Sequence, residues 1–292
     1  MYYVYHVSNA FLALSFLNKV LRCWSPISWK RDPNYLSTSL NSEGLNSSTG
    51  KSKTSLLCHQ KMCTLEKRGN IYLLTLTSSG EHRFNPSLLS SIRTALSSLL
   101  SSSHPPNSAL ITCAEGKFFS NGFDQSWVRS APPSQHHIIT DIHRGIISDL
   151  LSLPMPTVCA ITGHAAAAGC MLALAHDYVV MREDRGFFYM SELDAGLKIV
   201  KYFQVFFNEK IPDNQTRRDV LLRSARLTAR EAMATGIVDR AAKGIEGTIE
   251  EAVRLAEEVA ATVSDGSKLA EKRKLMFPET WRHVSAAAGS KL

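Results

Sequence analysis

The chain has 292 residues, a formal net charge of +7, 44% hydrophobic residues and 20% charged ones, the make-up of an ordinary globular protein with room for one large or two modest domains. Its basicity is local: up to Lys61 seven Lys/Arg face two Asp/Glu, which leaves the rest close to neutral and excludes an extended nucleic-acid face. No apolar run approaches the roughly 18 residues of a membrane span, and the six cysteines, Cys23, Cys58, Cys63, Cys113, Cys159 and Cys170, form no CxxC pair and read as thiols of a reducing compartment, with neither a disulfide framework nor a zinc site favoured.

In chain order, the apolar stretch from Ala10 to Leu21 is broken by Ser15, Asn18 and Lys19 and has no basic region ahead of it, so it does not read as a secretory signal. The Ser-, Asn- and Thr-rich tract from Ser37 to Ser55 offers little to a core, and residues 1–61 are expected to be a disordered extension. Met62 is a candidate native start, which an intact mass would decide. Ile71–Thr77 is a buried strand, Asn85-Pro86 an N-cap followed by a first-turn proline, and Leu88, Leu89, Ile92, Leu96 and Leu99 a helical stripe ended by His104-Pro105-Pro106. Ala109–Ala114 is a second buried strand, followed by the Gly-containing loop Gly116–Trp127, and Ile138–Leu153 is a helix stopped by Pro154.

Thr157–Thr162 is a third buried strand; the small-residue segment Gly163–Gly169 then leads into an apolar helix over Cys170–His176. Such a turn either lets a helix pack tightly on a sheet or presents unsatisfied N–H groups to an anion or a developing oxyanion. Tyr178–Met181 and Gly186–Met190 are further strands, and from Ile199 the pattern turns helical, with a Thr228-x-x-Glu231 capping box, Gly236 closing that helix, and an amphipathic helix over Glu246–Val263. Buried strands alternating with helices predict an α/β core of largely parallel strands. The terminal Ser290-Lys291-Leu292 is a peroxisomal address read by an import receptor.

Four segments together carry a resemblance: FFSNGFD (Phe118–Asp124), ITGHAAAAGCMLALAHDYVVM (Ile161–Met181), SELDAGL (Ser191–Leu197) and LTAREAMATGIVDR (Leu227–Arg240). From Met62 to about Val263 the chain resembles the enoyl-CoA hydratase/isomerase (crotonase) superfamily, and within it the plant peroxisomal Δ3,Δ2-enoyl-CoA isomerases. The resemblance implies an α/β fold, a crotonase-like ββα spiral core over residues 62–240 with a C-terminal helical region over 241–292. It also implies a homotrimer or homohexamer and no cofactor beyond the CoA of an enoyl-CoA thioester.

Carried over by motif, the thioester carbonyl is held by two backbone N–H groups, those of Phe123 and Ala168. Ser120, Asn121, Gly122, Phe123, Asp124 and Ala168 are the implied substrate-binding residues. The two glutamates of the family's hydratases fall on Met171 and Glu192, and the extra acids of its dienoyl-CoA isomerases on Met171 and Val200. A methionine cannot activate water, so Glu192 is implied as the single acid/base of an isomerase. The other reading of Glu192 is an ion pair with Arg182 or Arg185. Asp194 reads as a solvated turn residue, Asp124 as a loop-ordering acceptor, and His82, His164 and His176 as structural. Lys198, Lys201 and Lys210 are candidates for the CoA phosphates, and Lys201-Tyr202-Phe203-Gln204 departs from the family's tunnel-lining pattern. A hydratase or thioesterase, and a catalytically silent acyl-CoA-binding homologue, are the rival readings.

Overall fold

The computed structural model describes residues 62–197 and 199–288. The extension 1–61, Lys198 and the terminal tripeptide lie outside the described residues. Six strands form the main sheet: β1 (Cys63–Arg68), β2 (Ile71–Leu76), β3 (Ala109–Ala114), β5 (Thr157–Ile161), β7 (Tyr178–Arg182) and β9 (Arg240–Ala242), in that spatial order. β1 is the one antiparallel member, joined to β2 by a two-residue turn in which Gly69 takes φ +61°. The others run parallel.

Side chains along these strands alternate between two cores, as the two-residue repeat of a strand requires. Ile71, Leu73, Ala109, Ile111, Val158, Ala160 and Val180 face one helix, α8 (Gly244–Ala260), through its Ala252, Leu255, Ala256 and Ala260. Tyr72, Leu74, Leu76, Leu110, Cys159, Ile161, Val179 and Met181 face the larger core beneath α1 (Pro86–Leu100), α3 (His137–Ser152) and α4 (Ala168–Leu174). Coverage on both faces explains why the parallel strands read as continuous apolar runs. The α1 cap is as expected, with the Asn85 side chain accepting from Leu88 N–H at 2.9 Å.

A second, three-stranded parallel sheet has the order β4 (Phe118–Ser120), β6 (His164–Ala166), β8 (Phe188–Tyr189). Each of its strands directly follows a strand of the main sheet, so β3–β4, β5–β6 and β7–β8 are three turns of one ββα spiral. Two expectations are corrected here. The Gly116–Trp127 loop contains β4 and the start of α2 (Gln125–Ser130), and the Gly163–Gly169 segment contains β6. Strands of two or three residues are too short to show a period.

The remaining helices are α5 (Lys201–Lys210), α6 (Asn214–Leu222), α7 (Ala229–Ala234), α9 (Gly266–Met276) and α10 (Pro278–Ala288). The expected capping box starts α7, with Thr228 and Glu231 each accepting from the other's backbone N–H. Arg273 of α9 is buried and grips Asp177, Nε to Oδ1 and Nη2 to Oδ2 at 2.6 Å each, while also donating to the carbonyls of Leu153 and Met155. Burial alone would raise the Asp177 carboxyl, but the Arg273 guanidinium outweighs it and holds the group below its ordinary range. Arg273→Ala is expected to cost about 3 kcal/mol, because it strands a carboxylate and two carbonyls in the interior; a lower urea midpoint at unchanged m-value checks it. No described helix is long and apolar enough to cross a membrane.

Candidate active site

The C-terminal ends of β4, β6 and β8 open side by side, and each continues into one of the implied functional segments. Phe123 lies three residues beyond β4, Ala168 two beyond β6 and Glu192 three beyond β8. Parallel neighbours in a sheet deliver their following loops to the same edge, which is how residues far apart in sequence are gathered here.

The first loop is anchored through Phe84, whose N–H donates to the Gly122 carbonyl at 2.8 Å and whose carbonyl accepts from Asp124 N–H at 3.1 Å. Two bonds to the residues flanking Phe123 leave its own N–H on the opposite side of the chain, as in any parallel bridge. Below it, the buried Ser120 hydroxyl donates to the His82 carbonyl at 2.8 Å and accepts from Gly122 N–H at 3.2 Å. Ser120 therefore braces the loop from within. Asn121 is tied to Glu81 through its side chain at 2.8 Å and its N–H at 2.9 Å. Asp124 caps α2, accepting from Ser126 N–H and Trp127 N–H, the loop-ordering role expected of it.

The second loop turns at Ala167, which takes φ +55° and ψ −126°. A side-chain-bearing residue in this region stores about 1–3 kcal/mol of strain. The Ala167 N–H bond to the Tyr189 carbonyl (3.1 Å) and the Cys170 N–H bond to the Ala167 carbonyl (2.9 Å) hold it there. The turn starts α4 at Ala168, whose N–H, as a first-turn donor, has no partner within the helix. Among the described residues neither Phe123 N–H nor Ala168 N–H donates to a protein acceptor.

The two loops touch at a glycine. A Cβ on Gly122, at φ +71°, would fall 2.7 Å from Ala167 Cβ and 3.1 Å from Ala168 N. One turn deeper, a Cβ on Gly169 would fall 2.5 Å from the Ser120 carbonyl oxygen. Side-chain volume at either position would separate the two donor-bearing segments.

Glu192 sits in a single turn closed by Ala195 N–H to the Ser191 carbonyl (3.0 Å) and Leu197 N–H to the Glu192 carbonyl (2.8 Å). The residue is 8% exposed and its Oε2 has no hydrogen-bond partner. Burial pushes its carboxyl above the ordinary glutamate range, against a smaller opposing effect of its own and Ser191's backbone. The alternative ion pair is ruled out, because Arg182 binds Asp184, with Nη2 to Oδ2 at 2.6 Å, and Glu192 takes part in none of the salt bridges of the described residues. Burying a carboxyl with one oxygen unpartnered costs folding free energy, and such a group in a cleft is a candidate for chemistry.

Met171 is fully buried in α4, and Asp194 is exposed, as expected of a solvated turn residue. His176 bonds the Leu172 carbonyl (2.8 Å) and Thr112 Oγ1 (2.7 Å), and His82 bonds Ser78 Oγ (2.9 Å) and the Glu115 carbonyl (2.7 Å), so both are structural. Lys210 is corrected as a phosphate candidate: its Nζ donates to the His176 carbonyl at 3.3 Å and covers the Phe277 ring at 4.0 Å. His143, which no motif singled out, and Tyr202, of the Lys201–Gln204 segment, pack behind the Phe123 loop. His143 follows Ile142 in an apolar helical stripe, and a lone polar residue at a core position was the available signal.

A ββα spiral whose small sheet gathers two free backbone donors and one buried carboxylate is the architecture of the crotonases, and the chain belongs to the enoyl-CoA hydratase/isomerase family, whose model matches residues 66–278. Among curated relatives it is similar to the peroxisomal enoyl-CoA delta isomerase 1 of Arabidopsis thaliana, at 44% identity over 76% of this chain and 92% of the relative. It is also similar to enoyl-CoA delta isomerase 3 of the same plant, at 46% identity over 78% and 98%. In fold it matches the crystal structure of a probable enoyl-CoA hydratase from Mycobacterium tuberculosis, with a TM-score of 0.70 at 19% identity over 78% of this chain and 93% of that one.

Proposed function

We propose that this protein is a Δ3,Δ2-enoyl-CoA isomerase, which moves the cis or trans double bond of a 3-enoyl-CoA into the trans-2 position during peroxisomal β-oxidation of unsaturated fatty acids. The observation that carries the reading is the buried carboxyl beyond β8: Glu192 offers a free Oε2, while the position of a hydratase's second glutamate holds Met171. The Arabidopsis relatives named as enoyl-CoA delta isomerases, two of them peroxisomal, support both the reaction and the compartment.

In this reading the thioester carbonyl oxygen accepts from Phe123 N–H and Ala168 N–H. Glu192 Oε2 takes a proton from C2, the electron pair spreads over the carbonyl oxygen and C4 as a dienolate, and the same carboxyl returns the proton to C4. The double bond then lies between C2 and C3, and no atom is gained or lost. Preorganised donors stabilise the enolate by about 3 kcal/mol each, and burial gives Glu192 a basicity closer to that of the carbon acid it serves. Water addition would need a second base, which Met171 does not supply. No cofactor is required beyond the CoA of the substrate.

Conversion of 3-hexenoyl-CoA to 2-hexenoyl-CoA by the purified protein tests the reading. Release of hydroxyacyl-CoA or free CoA instead would make it a hydratase or thioesterase, and binding without turnover a silent homologue. The pH profile is a separate prediction. Glu192 must be ionised to act, so kcat/KM should rise with pH through a one-proton limb lying above the ordinary glutamate value of about 4.3 and then level off. A limb at or below that value would remove Glu192 as the base.

Residues 62–240 are the catalytic core in this reading, with 241–292 as a helical region ending in the Ser290-Lys291-Leu292 address for an import receptor. A homotrimer or homohexamer is part of it. Leu275 and Met276, each 72% exposed near the end of α9, are apolar surface that subunit contact would cover. Light scattering of the purified protein decides the subunit number.

A further inference from the structure

His143, on α3, is a fully buried titratable group beside the Phe123 loop that the proton shuttle leaves unused. Its ring is caged by those of Phe123, Phe84, Tyr202 and Phe203, at centroid separations of 5.3, 5.8, 6.1 and 6.2 Å. Nδ1 meets the Tyr202 hydroxyl at 3.1 Å. Nε2 is buried with no hydrogen-bond partner, although the backbone of Ala168 lies close enough to raise the ring's basicity.

Burial outweighs that help and pushes the imidazole down to about 4, so the ring is neutral at working pH. The neutral ring has one donor and one acceptor nitrogen, so Nδ1 and the Tyr202 hydroxyl bond each other at 3.1 Å in either tautomer. The ring packs against Phe123 in a T-shaped contact, and the Ala168 backbone is near enough to influence its basicity. Tyr202 in turn lies within the electrostatic reach of Glu192. A phenylalanine would fill the same cage without burying an unpartnered nitrogen, so packing alone does not account for an imidazole here.

We propose that His143 and Tyr202 act as one positioning unit, which fixes the ring's orientation and with it the spacing of the Phe123 and Ala168 N–H groups relative to Glu192. Backbone donors have no side-chain freedom with which to correct a displaced loop, and catalysis falls steeply with misplacement of about 1 Å.

The proposal rests on the isomerase reading, and one experiment separates the two. Wild type, Tyr202→Phe, His143→Phe and the double variant are assayed on 3-hexenoyl-CoA, and each is titrated with acetoacetyl-CoA while the ultraviolet absorbance of its bound enolate is recorded. The expected result is a fall in kcat of about tenfold in each single variant, with KM within about twofold of wild type. The bound-enolate signal should fall in step, and the double variant should be no worse than either single one, since the two residues work as a unit. Unchanged kcat and enolate signal in Tyr202→Phe, or losses that multiply in the double variant, would overturn the proposal. Tyr202→Phe removes only a hydroxyl and decides the matter even if His143→Phe does not fold. Wild type without isomerase turnover would remove the isomerase reading, and the enolate titration would still decide the positioning role.

Discussion

Replacing Glu192 by glutamine is expected to lower kcat for 3-hexenoyl-CoA by about 10³-fold while acyl-CoA binding is retained. The substitution keeps the volume and the turn, whose bonds at Ala195 and Leu197 are made by backbone alone. In the proposed mechanism what disappears is the acceptor for the C2 proton, and Met171 offers no replacement. Stability should move the other way. Burial raises the folded-state pKa of Glu192, so the ionised group is destabilising above the pH at which the unfolded chain's glutamate titrates, and the penalty is complete once the folded group has also ionised. Glutamine removes that penalty, and the variant should melt no lower than wild type at neutral pH. Isomerase turnover in the variant within tenfold of wild type would transfer the proton shuttle to another group.

Gly122→Ala is the second large effect, and it needs no change in any catalytic side chain. The new Cβ would meet Ala167 Cβ at 2.7 Å and Ala168 N at 3.1 Å, both rigidly attached to backbone, at a φ of +71° that already disfavours any side chain. One loop must retreat from the other. The two N–H groups then no longer converge on one oxygen, and kcat should fall about 10²-fold, with a stability loss of about 1–2 kcal/mol from the strained φ. Gly69→Ala is the matched control. Its φ is +61°, but nothing lies within 4 Å of the added Cβ, so it should share the stability loss and keep full turnover. Equal kcat in the two variants would mean that contact between the loops does not set the donor geometry.

What the amino-acid sequence disclosed divides along the range of the interactions involved. The Asn85-Pro86 start of α1 and the Thr228/Glu231 box of α7 depend on residues three apart, and both were legible. So were β2, β3, β5 and β7, whose burial on two faces writes itself as unbroken apolar runs. β8 was legible within the expected Gly186–Met190 strand, whereas β1 escaped because its second half is exposed, and β4 and β6 because triplets of residues become strands only through neighbours remote in the chain. Glu192 was reached through the motif around it, whereas its unpartnered oxygen depends on what fails to approach it in space. Arg273 stands in a run of charged residues that looked like ordinary helix surface, and its partner Asp177 is 96 positions away.

The donors at this site belong to the main chain, which has a consequence for how such a protein can change. A side-chain substitution cannot delete a peptide N–H, except by proline, and reaches the pair only indirectly, by adding bulk where the loops touch or by loosening what packs behind them. In the proposed mechanism enolate stabilisation is thereby insulated from most point mutations, while the groups that would choose the fate of the enolate, at positions 171 and 192, are ordinary side chains open to replacement one at a time. New reactions can be tried on this scaffold without first dismantling the step they share, and Met171→Glu, which places a second carboxyl next to an intact hole, is the shortest such path from transposing a double bond toward hydrating one.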